Sequence, residues 1–392
     1  MKFGTTLSII LMGTLMVCAQ DSTPGQKERK PALLQSQIKG LLVIALPDGS
    51  QAGAATQMNA TAVEGIGFQL RFNQQVGPLM KGATAEVEKF MKVRHAGALP
   101  SGYGVEFGFA NKHSLKDGPS AAVACALMTE AILAGTPLDP GFAATGDMTA
   151  TGEVRPIGGV AAKIRGASKK DCTIFAVPKS NAKSIDDLYL TEGLGAVTEI
   201  QIISVAKFEE ALAVATLTKS EAVESALADF AMVQKAVLRN ENNARHPKVQ
   251  AKLRSVLETI PGHHSARLVA LHGQGRAPAK LSLVGSLEAI EIKAGQLAQL
   301  LNSDDLGASR GFDDPLRDTV FELNRLRATI DPRTTGLLDG YRKIAEFFKA
   351  HRSKNSLDGG EQGELRNLIK ALNEARAELR NSREVREELM NE

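Results

Sequence analysis

Apolar residues fall in short or alternating runs through the first half of the chain and at helical spacing through the second. Leu41 to Leu46 is a compact apolar run that predicts a strand, closed by the turn signal Pro47-Asp48-Gly49. Ile66, Phe68, Leu70 and Phe72 alternate with Gly67, Gln69 and Arg71, the period of a half-buried strand. A helix is expected from Ala83 to Arg94, and Tyr103, Val105, Phe107 and Phe109 then alternate again. The run from Ala121 to Met128 meets no charge before Glu130, so it predicts a helix with little polar face, buried and ended by Gly135 and Pro137. Thr173 to Pro178 and Ile200 to Val205 read as buried strands, with helices over Ser184 to Leu190 and Lys207 to Ala215.

From Ser220 the strand signal disappears. Val223, Leu227, Phe230, Val233 and Val237 keep helical spacing, and further helices fit His246 to Ile260, His264 to His272, Leu287 to Leu301, Pro315 to Thr329, Leu337 to His351 and Glu364 to Met390. The last is so highly charged that it reads as a surface or partner-binding helix rather than a core one. The pattern therefore predicts an α/β (α+β) domain over residues 35–217 followed by an all-α region over residues 218–392.

Two residues in the first region suggest chemistry. Gly118 permits a tight turn and Pro119 suits the first position of a helix, which puts Ser120 at a helix start, beside unpaired N–H groups and the positive end of the helix dipole. A serine hydroxyl needs a neighbouring base, and no histidine stands in a recognisable partner motif. A lysine serves only if burial keeps its amine neutral near pH 7. Lys163 is a candidate, because Gly159, Val160, Ala162, Ile164, Gly166 and Ala167 surround it and no carboxylate lies within four residues on its helix.

The segments Asp117-Gly118-Pro119-Ser120-Ala121 and Pro156-Ile157-Gly158-Gly159-Val160-Ala161-Ala162-Lys163, with serine and lysine 43 positions apart, resemble the proteolytic domain of the Lon proteases. Thr145-Gly146-Asp147 and Thr151-Gly152-Glu153-Val154 between them are similar to two further segments of that family. The resemblance covers roughly residues 35–217. It implies an α/β proteolytic domain, Ser120 as nucleophile, Lys163 as its base, Thr145 as a hydrogen-bond partner of the lysine, and a ring-shaped homo-oligomer. Asp147 stands where the family usually has glutamate, Ala122 replaces a common glycine, and the family's Pro-Glu-Gly is absent at Ala110-Asn111-Lys112.

These features lead to an expected ATP-independent Ser-Lys endopeptidase acting on unfolded or flexible proteins, with no cofactor and no metal. No Gly-Lys-Ser/Thr phosphate loop occurs; Gly273 to Lys280 lacks that ending. Two other readings stay open: a Lon-like scaffold whose helical part recruits partners, and a self-processing hydrolase. His263, His264 and His272 match no zinc spacing and read as polar helix-turn residues.

Met1 to Ala19 has the form of an export signal, with Lys2, an apolar stretch from Leu7 to Val17, and Val17-Cys18-Ala19 before cleavage; acylation at Cys18 is the alternative. Residues 20–34 are expected as a disordered leader, and the mature chain as extracytoplasmic with no membrane span. That leaves Cys125 and Cys172, read as two inert buried thiols. Net charge is only +3 across 392 residues, and with no tryptophan and three tyrosines the chain lacks stacking platforms for nucleic acid.

Overall fold

A long antiparallel hairpin, β1 (Gln35–Ala45) with β2 (Gln51–Glu64), forms the middle of the sheet that holds the first half of the chain. The structure is a computed structural model describing residues 30–46, 51–65, 67–96, 98–100, 102–111, 115–301, 313–351 and 357–386. After the hairpin come β3 (Leu70–Phe72), α1 (Pro78–Arg94), β4 (Tyr103–Phe109), α2 (Ala122–Ala134), β5 (Phe142–Ala144), the small hairpin β6 (Asp147–Met148) and β7 (Val154–Arg155), α3 (Val160–Ser168), β8 (Ile174–Pro178), α4 (Ala182–Glu192), β9 (Gln201–Val205) and α5 (Phe208–Ala215). Seven strands pair in the order β3-β4-β2-β1-β5-β8-β9. The β2 contacts with β1 and β4 are antiparallel and the rest are parallel, so the sheet is mixed. All five residues of β8 and of β9 are buried, as parallel strands covered on both faces require.

Strand β2 gave no signal in the sequence, because residues 51–64 carry mostly glycine, alanine, threonine and glutamine. It is a strand because both of its edges are paired. Its small side chains let α3 come close: a Cβ on Gly53 would lie 1.7 Å from the carbonyl oxygen of Ala162, and one on Gly166 would lie 2.7 Å from the carbonyl carbon of Gly53. The strand expected from Ile66 to Phe72 shrinks to Leu70–Phe72, since Gly67 takes a left-handed φ of 78° and turns the chain just before it. Position 66, the turn at 47–49 and the expected signal at 1–19 lie outside the described residues. Two residues of the stretch expected as a leader are bonded to the domain: Leu33 N–H donates to the Ile132 carbonyl at 3.0 Å, and the Leu34 carbonyl accepts from Ala62 at 2.8 Å.

The remainder is helical: α6 (Glu221–Arg239), α7 (Pro247–Thr259), α8 (His264–Gly273), α9 (Leu283–Leu301), α10 (Asp313–Leu326), α11 (Thr335–Ala350) and α12 (Gly359–Asn381). Secondary structure changes character near residue 217, but packing does not. Phe230, Val233, Leu253, Val256 and Leu268 join the same apolar core as the sheet. The start of α8 also seals the outer edge of β9. Ser204 N–H donates to the Gly262 carbonyl at 2.8 Å, Ile202 N–H to Ser265 Oγ at 3.0 Å, and that hydroxyl donates to the Ile200 carbonyl at 3.1 Å. An edge strand that would otherwise offer free backbone groups is thus closed.

A second apolar core begins at Leu281 and gathers α9, α10, α11 and α12. Leu365 and Leu372 of α12 are 4% and 1% exposed within it, so the last helix is a core element, contrary to the reading from its charge. Two adjacent aspartates on α4 hold the helical parts. Asp186 accepts from Arg267 and pairs with His264 on α8, at 2.7 and 2.8 Å, and Asp187 accepts from the backbone and hydroxyl of Ser282, just before α9, at 2.7 and 2.6 Å. Among the described residues no helix is long and apolar enough to cross a membrane.

Candidate active site

The serine loop is built from Asp117 outward. Its Oδ1 accepts from Gly118 N–H at 2.8 Å and from Met80 N–H in the first turn of α1 at 3.0 Å, which ties the loop to that helix. Gly118 has φ 114°, a conformation that favours glycine, and Pro119–Ala121 then form one turn of 3-10 helix. Ser120 therefore sits half-buried in that turn, and α2 starts two residues later than the sequence suggested. Every residue of α2 from Ala122 to Ile132 is buried, Glu130 included, because Arg94 and His95 meet its carboxylate at 3.1 and 2.7 Å.

The Thr145 segment fastens this turn from the other side. Ser120's carbonyl accepts from Gly146 N–H at 2.9 Å and from the Thr145 hydroxyl at 3.2 Å, while Thr145 N–H donates to Ala176 in β8 at 3.0 Å. Lys163 Nζ then donates to Thr145 Oγ1 at 3.2 Å. One threonine hydroxyl thus joins the lysine amine to the backbone of Ser120. Thr145 is 1% exposed and bonded to both.

Lys163 itself is 4% exposed, and burial pulls its amine down to about 8. Among the described residues no carboxylate pairs with it, so nothing offsets the desolvation. It occupies the first turn of α3, its N–H bonded to the Gly159 carbonyl at 3.0 Å. Gly159 takes φ 69°, and a Cβ there would come within 2.6 Å of Val43 in β1. Position 147 also matters, because burial raises the carboxyl of Asp147, which accepts from its neighbour Met148 N–H at 2.8 Å in the β6–β7 hairpin.

The sequence reading missed Asn181, which brackets the backbone of Ile157 just ahead of the lysine helix. An asparagine just before a helix reads as its cap, but this one makes no cap bond and its amide is turned to Ile157. The three histidines do stand at the ends of α8, but His263 and His264 are buried there. His263 is fully buried, caps α8 through Nδ1 to Ala266 N–H at 3.2 Å, and is pulled down to about 3 by burial. His264 joins Asp186 to Ser204 Oγ at 3.2 Å, the order of a nucleophile relay, but Ser204 is 6% exposed beneath α8 and stays structural. His272 meets the Tyr189 hydroxyl at 2.9 Å. Cys125 and Cys172 are free and buried, and burial raises both thiols. Among the described residues no group of three or more His, Cys, Asp or Glu gathers to hold a metal.

Residues 42–218 match the family model of the Lon protease (S16) C-terminal proteolytic domain. The chain is 30% identical over 157 residues to Lon protease 1 of Syntrophotalea carbinolica, covering 37% of this chain and 19% of that protein. It is 34% identical over 109 residues to the Lon protease of Rhizobium meliloti, covering 28% and 13%, and 29% identical over 184 residues to Lon protease 2 of Bacillus subtilis, covering 45% and 32%. The match thus takes in a third or less of each relative's length. It spans the serine loop, the threonine that bridges to the lysine, and the lysine helix, so the chain carries a proteolytic domain of the Lon (S16) family over residues 42–218.

Proposed function

We propose that the chain is a serine endopeptidase that cleaves unfolded or flexible proteins without ATP, using Ser120 and Lys163. The observation that carries this reading is the buried amine, lowered to about 8 and linked through Thr145 to the loop bearing Ser120. Neutral Lys163 takes the hydroxyl proton and Ser120 Oγ attacks the scissile carbonyl carbon. Backbone N–H groups near Ser120 hold the oxyanion. When the C–N bond breaks, the lysine returns its proton to the leaving amine. Water, deprotonated by the same amine, then frees the acyl group and restores the serine. Incubating the purified chain with casein, with and without ATP, tests this directly. Equal cleavage in both samples and none by Ser120→Ala is expected; an absolute requirement for ATP would remove the independence claim.

The same chemistry sets a pH dependence. Only the neutral amine acts as base, so kcat/KM should rise about tenfold per pH unit up to pH ~8 and level off above it. A flat profile between pH 6 and 9 would exclude Lys163 as the base. Export is proposed from Met1 to Ala19, whose charged start, apolar stretch and small residues have the form of a signal. N-terminal sequencing of protein recovered outside the cytoplasm should begin at Gln20, and retention of Met1 there would refute it.

A further inference from the structure

Between the buried side chains of Ile157 and Val160, the segment that launches the lysine helix is two glycines. Open space surrounds the position a Gly158 side chain would take, and Gly159 is in the left-handed region. The first bond that fixes Lys163 within α3 reaches back only to Gly159. Packing on β2 holds the body of α3, and the place where its first turn begins depends also on how residue 157 is anchored.

One side chain anchors it. Asn181 Oδ1 accepts the Ile157 N–H at 3.0 Å, and Asn181 Nδ2 donates to the Ile157 carbonyl at 2.9 Å. The amide spends both of its ends on the backbone of a single residue, as a neighbouring strand would. Asn181 is 2% exposed and stands at the N-cap position of α4, where an asparagine oxygen ordinarily serves its own helix. Here it makes no cap bond. It follows β8 by three residues, and β8 is also the strand whose Ala176 carbonyl holds Thr145. The end of one strand thus references both members of the Lys163–Thr145 contact.

We propose that Asn181 is a positioning residue for the Ser120–Lys163 pair: by gripping Ile157 it fixes where α3 begins and so keeps Lys163 Nζ dry and against Thr145. This rests on the reading of Lys163 as the base. Losing the grip lets the first turn of α3 shift and water reach the amine, which restores part of ordinary lysine basicity.

The test uses the full chain with Asn181→Ala and Asn181→Asp, cleaving an unstructured protein between pH 6 and 10. Aspartate keeps the size and the acceptor half of the grip, loses the donor half and adds a negative charge that favours the ammonium; it serves if alanine does not fold. Expected is a fall in kcat of about tenfold or more at pH 8 with KM within about threefold, because geometry rather than substrate binding is lost. The acidic limb of the pH profile should also move upward by about half a unit or more in both variants. A purely structural role would lower the melting temperature and the active fraction equally at every pH and leave the limb in place, and that result in both variants overturns the proposal. Lys163→Ala in the same assay separates the two claims. If it still cleaves, the base assignment has failed; if it is inactive while both Asn181 variants keep the parent's limb, only the positioning claim falls.

Discussion

Lys163→Met should yield a protein that no longer cleaves casein and yet melts at a higher temperature than its parent. Loss of a general base costs about 10²- to 10⁴-fold in rate, which takes turnover below ordinary detection. The stability gain follows from the sign of the proton linkage. The amine is about 8 in the folded chain and 10.5 as its ordinary value, so between those limits the unfolded chain binds more protons and stability rises with pH. Below pH 8 both states are protonated and the cost of burying the charge stands in full, up to roughly 3 kcal/mol. Methionine fills a similar volume without a charge. Losing the bond to Thr145 costs about 1 kcal/mol, leaving a net gain of roughly 1–2 kcal/mol and a melting temperature higher by about 1–3 °C. Calorimetry at pH 7 and again at pH 10 checks this: the difference from the parent should shrink at the higher pH, and a variant less stable than the parent at pH 7 would show that the amine is not desolvated.

Ending the chain after Leu217 should destroy the proteolytic domain rather than release it. Phe230, Val233, Leu253, Val256 and Leu268 are each 2% exposed or less and pack into the sheet's own core. Burying side chains of this kind contributes about 1.5–3 kcal/mol each, so their loss approaches or exceeds the 5–15 kcal/mol that holds a typical domain together. The cut also strips β9 of the bonds to Gly262 and Ser265 and bares an apolar edge. Expression of residues 30–217 should give insoluble material, whereas a chain ending near residue 275 retains that edge cover. A soluble, cooperatively melting 30–217 fragment would contradict the shared core.

What could be read from sequence was what depends on local pattern. The uncharged stretch after Ser120 announced a helix buried on all sides, and Gly135 at φ 74° ends it as expected. The burial of Lys163 was legible because its helical neighbours are small or apolar and none is acidic. What stayed hidden depends on distant partners. Strand β2 has too few bulky side chains to announce itself and exists through pairing on both sides. Leu365 and Leu372 are spaced for one face of α12, but the charges around them masked a stripe that α11 covers. His263 and His264 read as polar helix-turn residues, and their burial follows from α8 covering the edge of β9. Asn181 acts across 24 positions on a backbone that carries no signal of its own.

The paired aspartates of α4 have one more consequence. Neighbouring helix residues point about 100° apart, which is how Asp186 and Asp187 reach α8 and Ser282 from adjacent positions. A single codon gained or lost upstream within α4 would swing both carboxylates through that same angle and unfasten both helical packages together. Any descendant that trades its C-terminal helices for others must keep this two-residue clasp, or else replace both of its grips at once.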